Sequence, residues 1–233
     1  MSNNAQNAFS HRTNTSNKQM PLTDYLIETD HARLGIWHIN EQEEYFIRKM
    51  PLNDTDKAEL ATLKGRRRVE WLSGRYLVHV MTGWAHEYKK DGFGKPFLKD
   101  SAYHISISHS KNFAAAIIAP QLVGIDIQYI NPKLEAVASR VMNENKFKNL
   151  SEKKRLEHLH VYWGAKEALF KAYGKKELDF KKNIIVEPFH YQDTDGYSHG
   201  TVVKDDYSQR FDIFYKKIEN YILVYAIEND EIS

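Results

Sequence analysis

The chain contains no cysteine among its 233 residues. This excludes disulfides, thiolate metal sites and a cysteine nucleophile, and it agrees with a reducing cytoplasm, which is the expected location. No run approaches the roughly 18 to 20 consecutive apolar residues of a membrane-spanning helix, and residues 1–20 lack the apolar core of a signal peptide. No membrane partner is therefore expected. Neither sign of charge dominates: 33 Lys and Arg against 31 Asp and Glu leave a formal net charge of +2. A protein that coats nucleic acid is not indicated, and only a local anion site is compatible with this balance.

What is present is an ordinary globular composition, 42% hydrophobic and 27% charged, in a chain long enough for one large domain or two small ones. Residues 1–20 are rich in Asn, Ser, Thr and Gln and are expected to form a disordered tail outside the fold. Beyond them, Ala32 to Ile39 is expected as a strand and Asp54 to Met81 as helical segments, followed by turn signals at Asp91-Gly92 and Gly94-Lys95-Pro96. Ala102 to Ile107 and Phe113 to Ala119 are expected as a hairpin joined by a polar turn from Ser108 to Asn112.

The second half repeats this order. Leu34-Gly35-Ile36-Trp37 corresponds to Val123-Gly124-Ile125-Asp126 at an offset of 89, and Trp71-Leu72-Ser73-Gly74 to Trp163-Gly164-Ala165-Lys166 at 92. Asn112-Phe113 corresponds to Asn220-Tyr221 at 108. Offsets that grow in one direction point to a duplicated unit of roughly 100 residues, with repeats at 21–120 and 121–233, although short apolar segments also resemble one another by chance. A duplicated pair is expected to pack about a pseudo-twofold axis with a ligand cleft between the copies.

The segment Leu156 to Gly174 reads as a helix stopped by Gly174. At 100° per residue, Leu156, Leu159, Trp163 and Phe170 fall within about 60° of one another and are expected to form its buried stripe. Glu167 and Lys171, spaced i, i+4, lie beside that stripe. Taken alone, such a pair reads as an exposed helical ion pair, and its neighbours change that reading. In Val123 to Gln128, alternation places Asp126 and Gln128 on one face and Ile125 and Ile127 on the other. An acid in such a strand requires compensation, either a divalent cation shared with a helix Glu or a hydrogen-bonding or basic partner.

Ser106-Ile107-Ser108-His109-Ser110 gathers hydroxyls and an imidazole suited to phosphate oxygens, or to the backbone of its own turn. Lys95 is presented by a stiff turn. Lys64, Arg66, Arg67 and Arg68 form the densest basic cluster, and helix register is expected to align Lys64, Arg68 and Arg75 beside Trp71.

In this order, these segments resemble the 4'-phosphopantetheinyl transferase superfamily, in its long single-chain class of two tandem α+β units. The motifs are Gly94-Lys95-Pro96, Ser106-Ile107-Ser108-His109, Gly124-Ile125-Asp126-Ile127-Gln128 and Trp163-Gly164-Ala165-Lys166-Glu167-Ala168-Leu169-Phe170-Lys171. The last is highly specific, and the resemblance runs over about residues 32 to 228.

The resemblance implies an α+β fold and magnesium-dependent transfer of phosphopantetheine from coenzyme A to a serine of an acyl or peptidyl carrier protein. It implies Asp126 and Glu167 as Mg2+ ligands, with Gln128 at the position of the family's further strand acid, where a water is the other option. Glu167, Lys171 and Asp126 would be catalytic. Lys171 and Ser108 would meet phosphate oxygens, and His109 and Lys95 the 3'-phosphoadenosine end, with Arg67 and Arg68 as further basic candidates. A monomer is expected, with no nucleic-acid partner. The competing readings are a non-catalytic coenzyme A or carrier-protein binding module and, from the basic cluster with Trp71, an RNA-binding protein.

Overall fold

The computed structural model describes residues 22–28, 32–141 and 150–229. The tail expected over residues 1–20 lies outside the described residues. Two antiparallel sheets form the centre. The first contains β1 (Leu22–Glu28), β2 (Arg33–His38), β3 (Tyr88–Lys90), β4 (Pro96–Leu98), β5 (His104–Ser110) and β6 (Phe113–Ala119), in the order β1-β2-β6-β5-β4-β3. The second contains β7 (Val123–Tyr129), β8 (Ile184–Val186), β9 (Asp195–Lys204), β10 (Tyr207–Ile218) and β11 (Tyr221–Glu228), in the order β7-β11-β10-β9-β8. Leaving β1 aside, both sheets follow one rule: the first strand pairs with the last, and the others follow in reverse.

Helices α1 (Glu43–Lys49), α2 (Asp54–Thr62) and α3 (Arg66–Met81) lie between β2 and β3, and α4 (Lys133–Val141) and α5 (Arg155–Tyr173) between β7 and β8. Among the described residues no helix is long and apolar enough to cross a membrane.

Period-two alternation explains the layering. In β6, Ala114, Ala116 and Ile118 pack with Leu72, Tyr76 and Leu77 of α3, while Phe113, Ala115 and Ile117 join Val123, Ile125 and Ile127 of β7 in a core between the sheets. A strand buried on both faces reads as a continuous apolar run, as Phe113–Ala119 does. On the far side of the second sheet, Leu159, Val161, Ala165, Ala168 and Leu169 of α5 pack against Val202, Phe211, Ile213 and Val224. The layers are thus helix, sheet, sheet, helix.

Two expectations are corrected. The hairpin turn is shorter than anticipated: β5 continues through Ser110, and only Lys111 and Asn112 turn, with Lys111 at φ 50°. Serine is favoured in turns, and the bonds of Ser106, Ser108 and Ser110 to β7 override that preference. The α5 stripe was also misplaced. Leu159 is buried, but Leu156, Trp163 and Phe170 are only partly so, whereas His158, His160, Val161, Tyr162, Ala165, Lys166, Ala168, Leu169 and Ala172 are buried. The small residues face the sheet, and the segment from Leu178 to Tyr191 covers much of the opposite side with Phe180, Phe189 and Tyr191.

Candidate active site

Strand β7 is an edge strand whose outward N–H groups need acceptors. The serines of β5 supply them. Ser106 Oγ accepts from Ile125 N at 3.1 Å, Ser108 Oγ from Ile127 N at 3.2 Å and Ser110 Oγ from Tyr129 N at 3.1 Å. The Ser-x-Ser-x-Ser spacing therefore couples the two sheets, a role visible in its period of two but not anticipated for Ser106 and Ser110.

Helix α5 approaches β7 closely because residue 124 is glycine: a Cβ there would lie 1.8 Å from the Ala168 carbonyl oxygen. Two residues on, Asp126 is 6% exposed and faces α5. Lys171 Nζ donates to Asp126 Oδ1 at 2.8 Å, to Ser108 Oγ at 3.0 Å and to the Ile125 carbonyl at 2.9 Å. Ser108 in turn donates to Asp126 Oδ1 at 3.0 Å, and the Gln128 amide nitrogen donates to Asp126 Oδ2. The compensation that a strand acid requires is thus supplied by a base and two hydrogen bonds.

Glu167 lies one helical turn before Lys171. Burial raises its pKa above the ordinary glutamate value; the Asp126 charge adds to the shift and Lys171 opposes it. The burial has a local cause, for Trp163 and Phe170 flank Glu167 on the helix, and Phe180 packs on both at 6.1 and 5.6 Å between ring centroids. Beneath them Lys166, 2% exposed, donates to the Phe180 and Ile184 carbonyls and holds that segment down. Its role was not anticipated, although on the helical wheel it falls in the arc of buried residues.

The remaining candidates are spread more widely. His109, next to Ser108 on the opposite face of β5, lies within electrostatic reach of Lys171, Asp126 and Arg67. Its pKa is lowered by burial, with Glu70 opposing. Lys95 reaches α5 from the β3–β4 turn and donates to the Ala172 carbonyl at 2.5 Å; desolvation lowers its pKa. Arg67 is exposed and has no ion pair among the described residues. Arg68 is turned away towards Glu43 Oε2 at 2.6 Å and the Leu60 carbonyl at 2.7 Å, beside an apolar cavity of about 430 Å³.

The expected stripe of Lys64, Arg68 and Arg75 does not form. Lys64 precedes the first turn of α3, and Arg75 is buried over Trp71 with ion pairs to Asp56 and Glu59. Arginine accepts burial when its guanidinium is stacked and paired, so a basic residue at a core-facing register does not mark an anion site.

No cluster of three or more His, Asp or Glu with metal-ligand geometry occurs among the described residues. Asp126 and Glu167, with the neutral Gln128 amide beside Asp126, nevertheless offer oxygen ligands of the sparse kind that Mg2+ uses when substrate phosphates complete its shell. The residues fit a hard divalent cation in kind.

The family model for the 4'-phosphopantetheinyl transferase superfamily matches residues 122–226, from β7 into β11. A 4'-phosphopantetheinyl transferase of Bacillus pumilus is 29% identical over 109 residues, covering 43% of this chain and 46% of the relative. A holo-[acyl-carrier-protein] synthase of Halalkalibacterium halodurans is 34% identical over 92 residues, 33% of this chain and 76% of the relative. One of Bacillus cytotoxicus is 37% identical over 81 residues, 28% of this chain and 68% of the relative. The match thus spans just under half the length of the Bacillus pumilus relative but more than two thirds of either synthase. With Gly124, Asp126, Glu167 and Lys171 all inside the matched segment, the chain belongs to the 4'-phosphopantetheinyl transferase superfamily.

Proposed function

We propose that this protein transfers the 4'-phosphopantetheine group of coenzyme A to a serine of an acyl or peptidyl carrier protein. The observation that carries the reading is the convergence of Lys171 and Glu167 of α5 on Asp126 of β7, inside the segment that matches the family. The two halves, 21–120 and 121–233, are tandem copies of one α+β unit related by a pseudo-twofold axis; the common strand order of the sheets supports this. One chain builds the whole site and acts as a monomer.

In the reaction, the serine hydroxyl oxygen attacks the β-phosphorus of coenzyme A, the one that bears pantetheine. A phosphorus–oxygen bond forms to the serine, the bridging bond of the pyrophosphate breaks, and 3',5'-adenosine bisphosphate leaves. Glu167 takes the serine proton, and its raised pKa makes it a stronger base than an exposed glutamate. Lys171 holds Asp126 in place and puts its charge beside the pyrophosphate. All three of its protons have protein acceptors, so a phosphate oxygen gains this donor by displacing one of them.

Mg2+ would be held by Asp126 and Glu167, with Gln128 or a water beside them, and would supply charge neutralisation at the pyrophosphate. His109 and Arg67 serve the 3'-phosphoadenosine end. Arg68, engaged by Glu43, is left out of this assignment. Lys95 contributes there only if its bond to the Ala172 carbonyl is exchanged for one to a phosphate.

The test is intact-mass analysis of a panel of apo carrier proteins incubated with this protein, coenzyme A and Mg2+, with EDTA controls. A metal-dependent gain of one phosphopantetheine is expected. Coenzyme A binding without transfer to any carrier would favour a binding module instead, a reading for which Gln128 in place of a third acid is the supporting observation.

A further inference from the structure

Glu70 lies in α3 and belongs to none of the motifs described above. Its side chain is 14% exposed, and Oε2 lies 3.4 Å from Nδ1 of His109. One helical turn earlier, Arg66 donates to the Lys111 carbonyl through Nε at 3.0 Å and Nη2 at 2.7 Å, and through Nη2 to Asn112 Oδ1 at 2.6 Å. Arg66 also lies 3.9 Å from Glu70. The first two turns of α3 thus grip the end of β5 twice, at the turn that follows it and at the His109 ring. This contact joins a helix of the first half to a site whose carboxylates lie in the second.

We propose that Glu70 is a positioning residue that orients His109 towards the 3'-phosphate of the nucleotide, an inference that rests on the transferase reading above. An imidazole at the surface end of a strand samples several rotamers. A carboxylate 3.4 Å from Nδ1 selects one and favours the doubly protonated ring, whose Nε2–H donates to a phosphate oxygen. Glu70 does not reach the reacting phosphorus, so its loss weakens nucleotide binding rather than chemistry.

The test compares Glu70→Gln, His109→Ala and the double variant in transfer kinetics, together with calorimetric binding of 3',5'-adenosine bisphosphate in the absence of metal. Glu70→Gln is expected to raise both KM for coenzyme A and Kd for the bisphosphate about tenfold, as befits loss of a charged contact, with kcat within about twofold. In the His109→Ala background, Glu70→Gln is expected to add nothing, because the effect passes through the ring. Unchanged KM and Kd in Glu70→Gln, or effects that add in the double variant, would overturn the positioning role while leaving the transferase reading intact. Absence of transfer by the wild-type chain on every carrier would overturn both.

Discussion

Lys95 Nζ, carried by a turn of the first half, donates to the carbonyl of Ala172 in the last turn of α5, and its aliphatic chain lies over Gly174. Gly174 caps α5 at φ 73°, and a Cβ there would meet Lys95 Cδ at 2.1 Å. The lysine therefore satisfies an otherwise unpaired carbonyl at a helix C-terminus and ties the two halves together.

Lys95→Met is accordingly expected to lower stability by about 1 to 2 kcal/mol, the worth of a charged hydrogen bond partly screened by solvent. Gly174→Ala is expected to cost at least about 1 kcal/mol, because the left-handed backbone and the lysine contact both resist a side chain. Thermal denaturation checks both, and unchanged melting in either variant would refute this account of the cap.

Glu167→Gln is expected to keep the fold and lose at least about 100-fold in kcat/KM, the usual size of a general-base contribution. Lys171→Ala should lose activity comparably and also melt earlier, since Asp126 would keep only Ser108 and Gln128 as partners for a buried charge. Steady-state kinetics and melting curves separate the two effects. Near-wild-type turnover in either variant would remove that residue from the reaction.

Gln128→Glu restores a third acid beside Asp126. The Mg2+ concentration for half-maximal transfer is expected to fall by about threefold to tenfold, because ligand charge raises affinity for a hard cation. In EDTA the same variant should be less stable than wild type, as like charges then face each other. A metal titration of activity and a melting curve in EDTA provide the check.

Acid should destabilise the protein through a pair of buried histidines on α5. His158 Nδ1 accepts from Ser151 N at 3.0 Å and His160 Nε2 from Asn131 N at 3.1 Å, and burial lowers both pKa values, that of His158 from 6.5 to about 4. Between those pH values the unfolded chain binds the His158 proton and the folded chain does not, so stability rises with pH there. Its contribution is complete above about pH 6.5 and is lost as pH falls towards 4, up to about 3 kcal/mol for this ring. Urea midpoints between pH 7.5 and 4.5 should fall steeply in wild type and less so in His158→Asn; equal slopes would refute the assignment.

The residue pattern alone determined a good deal. Alternation in Val123 to Gln128 set Asp126 and Gln128 on the face opposite Ile125 and Ile127, and Gly174 ended α5, because these features depend only on local geometry. The spacing of Glu167 and Lys171 put them on one face for the same reason, and the ordered motifs identified the superfamily. Only the tertiary structure decided what each polar group meets. Ser106 and Ser110 serve the edge of a strand 19 residues away, Lys166 clamps carbonyls of a later segment, and Glu70 finds His109 across a helix–strand contact. It likewise turned Arg68 to Glu43 and buried Arg75 with Asp56 and Glu59. A helical or extended register fixes the direction in which a side chain leaves the backbone, but its partner is chosen by packing between elements distant in the chain.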